Sequence, residues 1–298
     1  MKKQRNWREI IITTLIKLSG YSVILFVSII FIFLLTQGLP SLIKVPVRDL
    51  LGQRWYPIEN FFGLLPLILG SLMVTLGAAI FAIPIGVGTA IYIAEVAPRW
   101  AREILKPFVE IMAGIPSVVL GFIGIVVFSS LIRKVLNLPT GLTAITGSML
   151  LAAISVPTIV SISEDALDAV PRSYRDAALA LGATKWQTIW RVTLPAARSG
   201  VLTAVMLGIG RAIGETMTVM MVTGNAAVMP TRLSMLFSPV RTMTATIAAE
   251  MGEVATGSVH YNVLFLIGII LFLISLIVNV IASSVIFRQQ KRVERILS

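Results

Sequence analysis

The chain has 298 residues, 56% of them hydrophobic and only 13% charged, with a mean hydropathy of +0.91. Soluble domains are about one quarter charged, so this balance excludes an ordinary soluble fold and indicates a polytopic membrane protein. The net charge of +11 comes without any nucleic-acid-binding motif, and the absence of Cys together with a single His excludes disulfides, thiolate metal sites, Cys nucleophiles and multi-His metal centres.

The chain opens on a basic stretch, MKKQRNWR, followed by a long apolar run from Ser19 to Leu35 with no small-residue cleavage site after it, which predicts an uncleaved anchor. Six apolar runs are each long enough to cross a hydrocarbon layer of about 30 Å: 18–36, 66–94, 107–131, 143–162, 200–223 and 261–286. Pro107 is placed at the start of the third, where proline suits a first helical turn; Pro84 interrupts the second and Pro157 predicts a kink late in the fourth. Seventeen of the 25 Lys and Arg residues fall in 1–17, 95–106, 163–199 and 287–298, against seven in 37–65, 132–142 and 224–260. That asymmetry predicts both termini on the cytoplasmic side. The expectation is an all-α protein: a basic cytoplasmic N-terminus (1–17), one transmembrane domain (18–286) and a basic cytoplasmic C-terminus (287–298). The domain carries a cytoplasmic loop at 163–199 and an external segment at 224–260. His260 is expected to be an interfacial residue without chemistry.

The loop reads SEDALDAVPRSYRDAALALGATKWQTIWRVTLPAARSG. Ser173-x-x-Asp176 has the form of a helix cap, and Thr184-x-x-Gln187 is a fuller capping box with Gly182 as a stop signal ahead of it. Two short helices follow, the second ending before Pro195, with Tyr174, Ala177, Ala178 and Leu181 on one apolar face and Trp186, Ile189 and Trp190 on the other. From residues alone this face either packs on the protein's own helix ends and the lipid interface or enters a groove on a soluble partner.

In the fifth run, GRAIGETM (210–217), Arg211 and Glu215 stand where each charge costs about 2.5–3.5 kcal/mol at the centre of an inserted helix. Four residues apart, they are expected to share one helix face and partly neutralise each other, as a structural pair or around an anion. The order Arg before Glu is the weaker one for helix stability, and a guanidinium offers a planar fork to an oxyanion, which favours the second alternative. Thr216 and Thr218 add hydroxyls. The external segment SPVRTMTATIAAEMGEVATGSV (238–259) is too polar to span and is expected to be an interfacial or re-entrant helix, with Glu250 or Glu253 as a further partner for Arg211. No G-x4-G-K-[ST] occurs, so the chain is not expected to bind ATP.

The run D-A-A-x3-G-x9-V-x-L-P, at Asp176, Ala177, Ala178, Gly182, Val192, Leu194 and Pro195, resembles the E-A-A-x3-G-x9-I-x-L-P loop of ABC importer permeases, with Asp for Glu and Val for Ile. The runs AGIPSVVLGF (113–122), GRAIGETMTVMMVTGN (210–225) and SPVRTMTATIAAEMGE (238–253) resemble phosphate ABC transporter permeases of the PstC type, over nearly the whole chain. The resemblance implies a type I ABC importer permease architecture in a bacterial or archaeal cytoplasmic membrane. It also implies a loop that docks on a separate ATPase, and Arg211, Glu215 and Thr216 on the path of inorganic phosphate. Implied partners are a sister permease, two ATPase subunits that bind ATP and Mg, and an extracytoplasmic phosphate-binding protein. The alternatives are a permease for another oxyanion (sulfate, molybdate or phosphonate) and an ion-coupled secondary transporter.

Overall fold

The computed structural model describes residues 7–297; the basic residues Lys2, Lys3 and Arg5 lie outside them. The described chain is almost entirely helical. α1 (Trp7–Gly38) leads into two short helices, α2 (Pro40–Lys44) and α3 (Val47–Leu50), and then into strands β1 (Trp55–Tyr56) and β2 (Phe61–Phe62), which pair Trp55 with Phe62 in antiparallel register. α4 (Leu65–Ile91) closes in a π-type turn over Tyr92–Val96. After α5 (Arg99–Gly114) the backbone is extended at Ile115 and resumes as α6 (Ser117–Ile123), a π-type stretch over Gly124–Ser129, and α7 (Ser130–Val135). α8 (Ala144–Asp168) starts on Thr143, whose hydroxyl accepts the N–H of Thr146.

The loop carries α9 (Arg172–Ala180), α10 (Lys185–Thr188), a π-type stretch over Ile189–Thr193 and α11 (Leu194–Ala196). α12 (Arg198–Gly214), α13 (Met217–Val222), α14 (Met243–Glu250) and α15 (Val259–Leu297) complete the chain. Among the described residues, five helices are long and apolar enough to cross a membrane, six if Lys185–Ala196 and Arg198–Gly214, bent by 72° at their junction, form one broken span.

The third run is placed differently from expectation. The membrane-length helix is Ser117–Val135, and Arg99–Gly114 is a separate helix that contains Pro107 in its interior. Hydropathy merges the two because α5 turns Trp100, Ile104, Phe108 and Ile111 outward, a stripe at spacings of four, four and three. Pro107 removes one helix hydrogen bond, at an exposed position.

The core is built around α8. Its Ile159 is fully buried between α4 and α12, where Gly86 and Gly208 leave notches: a Cβ on Gly86 would lie 2.7 Å from the Ile159 side chain, and one on Gly208 would lie 2.5 Å from it. Small residues allow this close approach where water drives no association between helices. α1 sits at the margin, stacking Phe31 on Phe272 at 4.7 Å and meeting Phe265 edge-on through Phe33 at 5.6 Å, while most of its apolar surface stays exposed. The segment 238–259 is not a free surface helix. Met243, Thr244, Ala245 and Thr246 of α14 are buried, the Met243 N–H is accepted by Ser71 Oγ of α4 at 2.9 Å, and Gly70 lets the Arg241 carbonyl approach the α4 backbone directly.

Candidate functional site

The fifth run breaks where the sequence places its charges. α12 ends at Gly214, Glu215 is extended (φ −68°, ψ 129°), and α13 begins at Met217. Arg211 and Glu215 therefore do not share a helix face, and no ion pair joins them, contrary to expectation. Arg211, in the last turn of α12 where a cation complements the helix dipole, is exposed and donates from Nη1 to Thr158 Oγ1 of α8 at 3.1 Å. The Glu215 carboxylate turns back and accepts the N–H of Thr218 at 3.2 Å, while its carbonyl accepts the Thr244 hydroxyl of α14 at 3.0 Å. Thr216 Oγ1 donates to the Gly214 carbonyl at 3.2 Å. The second backbone break, at Ile115–Pro116, meets the first, because Thr218 Oγ1 donates to the Ser117 carbonyl at 2.8 Å. Two interrupted helices thus face each other beside a guanidinium open to whatever occupies the adjacent space. Irregular backbone at such depth is tolerated where protein or a water-filled cavity satisfies it.

Glu250 is not a partner for Arg211. It accepts from Arg241 Nη2 at 2.9 Å and Trp55 Nε1 at 3.1 Å, and it contacts His260 Nε2 at 2.8 Å. His260, expected to be without chemistry, sits against the Trp55 and Phe62 rings and joins the strand pair, α14 and α15 at the end of the bundle away from the 163–199 loop.

The loop forms the helical hairpin expected from its spacing. Thr184 and Gln187 make a reciprocal capping box, and Gly182 ends the first helix at φ +83°, where L side chains are disfavoured. Two details differ. Ser173 does not cap, since α9 opens on Pro171 with Arg172 as its first residue. The second helix also does not stop before Pro195: the chain widens to π geometry over Ile189–Thr193 and continues to Ala196, with Leu194 half-buried and Pro195 exposed in α11. Asp176 and Ala177 are exposed; Ala178 and Ile189 are buried, Ile189 in the core beside Ala90, Leu167 and Val201. Tyr174, Leu181, Trp186 and Trp190 are exposed, Leu181 at 89%, and Trp186 meets Trp190 edge-on.

The anchor of this hairpin is Arg175, which nothing in the local sequence marks. Its Nε and Nη2 both donate to Glu95 Oε1, at 3.0 and 2.6 Å, and it caps the Val170 and Leu167 carbonyls at 2.6 and 2.9 Å. Arg102 supports the same corner by donating to the carbonyls of Ile93 and Ala94. Lys106 reaches Glu164 at 3.0 Å and Asp165 at 3.7 Å, and the hydrogen bond and charge of Glu164 raise its pKa above the ordinary lysine value of 10.5 against the opposing effect of burial.

A bundle of five or six apolar helices, two of them broken side by side at an intramembrane arginine and joined to a protruding helical hairpin, has the make-up of a membrane transport permease subunit. The chain belongs to the family of binding-protein-dependent transport system inner membrane components, whose sequence profile matches residues 82–295. It is 41% identical over 249 residues to the probable ABC transporter permease protein YqgH of Bacillus subtilis, covering 82% of this chain and 80% of that one. It is 36% identical over 261 residues to the phosphate transport system permease protein PstC of Xylella fastidiosa (81% and 79% covered), and 30% identical over 307 residues to that of Haemophilus influenzae (96% of each). Among solved structures, the fold is shared with the MetNI methionine ABC transporter in an inward-facing form (TM-score 0.61, 18% identity, 79% of this chain and 99% of that one). It is also shared with a bacterial alginate ABC transporter (TM-score 0.58, 15% identity, 94% and 96%). The chain is therefore a multi-pass permease of the type I ABC importer architecture.

Proposed function

We propose that this chain is the phosphate-translocating subunit of an ATP-driven, binding-protein-dependent importer in a bacterial inner membrane, with both termini and the 163–199 hairpin in the cytoplasm. The observation that carries the reading is Arg211. It is an exposed guanidinium at span depth, held by one neutral hydroxyl and, among the described residues, by no carboxylate. Such a group has a free fork for an oxyanion. Relatives at 30–36% identity are named as phosphate transport system permeases, which supports phosphate as that anion.

Motive force enters through the hairpin. Leu181, Trp186 and Trp190 form an apolar tip that fits a groove on a separate ATPase, where ATP and Mg bind, and Asp176, Ala177 and Gly182 present a small-residue surface beside it. The complete assembly comprises this chain, a sister permease of the PstA type, two ATPase subunits of the PstB type and an extracytoplasmic phosphate-binding protein of the PstS type. Arg211→Ala is expected to abolish ATP-driven phosphate uptake in the reconstituted complex while assembly persists. Normal uptake by that variant removes Arg211 from the path, and stronger uptake of sulfate or molybdate than of phosphate by the unaltered complex overturns the substrate.

A further inference from the structure

α5 carries a carboxylate that no contact in the chain explains. Glu110 is exposed and has no hydrogen-bond or ion-pair partner among the described residues. Its depth follows from two contacts. Arg102 meets Asp168 at 3.8 Å and Lys106 meets Glu164 at 3.0 Å, so each step of four along α5 matches a step of four backward along α8. Continuing that register sets Glu110 level with Val160, about 12 Å inside the loop end of α8 at 1.5 Å per residue. Arg211 is bonded to Thr158, two residues further, so Glu110 and Arg211 differ in height by only about 3 Å.

The two also border the same face of α8. Thr158, Ser161 and Asp165 lie on one face at spacings of three and four. Arg211 reaches that face from α12 through Thr158, and Lys106 reaches it from α5 through Asp165 at 3.7 Å. Glu103, Lys106 and Glu110 share one face of α5 by the same spacing rule, so Glu110 adjoins the seam one turn deeper than Lys106. The outward apolar stripe of α5, Trp100, Ile104, Phe108 and Ile111, lies on another face. A carboxylate facing lipid at this depth would cost several kcal/mol, whereas one beside a water-filled route does not.

We propose that Glu110 lines the aqueous route on the cytoplasmic side of Arg211 and selects oxyanions that still carry a proton. The inference rests on the phosphate reading of Arg211. An ionised carboxylate only accepts hydrogen bonds, and an O–H···O⁻ bond is among the short, strong ones. Phosphate near neutral pH keeps at least one P–OH and can donate to Glu110 while its other oxygens face Arg211. Sulfate has no proton to give, so it meets the carboxylate as one unpaired charge beside another, a repulsion that supplies discrimination.

The chain has no Cys, so Glu110→Cys and Arg211→Cys each place one thiol in it, the reactive cysteines of the other subunits being replaced beforehand. Both are expected to be modified by a charged, membrane-impermeant thiol reagent, and Glu110→Cys, which keeps Arg211, more slowly when phosphate is present during turnover. In Glu110→Gln, which keeps the size and removes the charge, sulfate is expected to inhibit phosphate uptake at least tenfold more strongly than in the unaltered complex, whereas Glu103→Gln, nearer the loop end, leaves selectivity unchanged. Labelling of Arg211→Cys without Glu110→Cys overturns this inference and leaves the phosphate reading standing; failure of both to label overturns the pathway itself. Unchanged sulfate exclusion by an assembled Glu110→Gln complex also overturns the selectivity role. If Glu110→Gln fails to assemble, Glu110→Asp takes its place: retained sulfate exclusion supports the carboxylate and lost exclusion refutes it.

Discussion

Arg175→Met removes one charge from an almost dry corner and keeps the length of the side chain. Glu95 has a side-chain exposure of 9% and Arg175 of 19%, so the pair is only weakly screened by water. Breaking such a pair from one side costs about 3–5 kcal/mol, because the remaining charge stays buried without compensation. Here the Val170 and Leu167 carbonyls lose a donor as well. The cost falls where α9 leaves α8, since two of these bonds tie the start of the hairpin to Glu95 in the turn that closes α4 and two tie it to the end of α8. Hydrogen exchange read by mass spectrometry on the permease complex is the assay. Amides of 172–182 are expected to exchange about a hundredfold faster or more, at about 1.4 kcal/mol per factor of ten, while those of 144–160 stay protected. Replacing both partners, Arg175→Met with Glu95→Met, is expected to restore most of the protection, because no charge is then left buried. Unaltered exchange in the single variant, or a double variant as loose as the single one, refutes the assignment of Arg175 as the anchor.

Thr158→Val is expected to raise the KM for phosphate uptake about tenfold, the low end for loss of a hydrogen bond to a charged group, with Thr158→Ser near the unaltered value; uptake kinetics in proteoliposomes decide it. Gly182→Trp is expected to detach the ATPase on co-purification, whereas Gly182→Ala, which costs only about 1–2 kcal/mol at positive φ, keeps it attached. Among the described residues no neighbour lies within 4 Å of an added Cβ there, so the bulk of Trp acts on the partner. Lys106 has a raised pKa, so its contribution to stability is complete below 10.5 and is lost as pH climbs through the higher folded value. Thermal unfolding followed into alkaline solution should show that loss in the unaltered chain and not in Lys106→Met.

What the sequence made legible was local or compositional. The Thr184–Gln187 box and the Gly182 stop depend on neighbours a few residues away, and they form as their spacing predicts. The spans follow from hydropathy, which counts apolar residues and not backbone geometry. For that reason it passes over the breaks at Ile115–Pro116 and Glu215–Thr216, whose flanks are as apolar as a continuous helix. The expected Arg211–Glu215 pairing failed for the same cause, since helical spacing means nothing across a residue at ψ 129°. Arg175 with Glu95, Glu250 with Trp55, and Arg211 with Thr158 are contacts between residues far apart in the chain, made by tertiary packing that no spacing rule reads.

Ile159 has a mechanical consequence. One side chain occupies the notches of Gly86 and Gly208 together, so none of α4, α8 and α12 can slide past another without forcing a methyl group into backbone. Close-packed interiors resist such shear, and the three helices therefore travel as a single rigid wedge. A displacement of the hairpin is then expected to pass along that wedge to the interrupted backbones at 115–116 and 215–216, which lie outside the three helices.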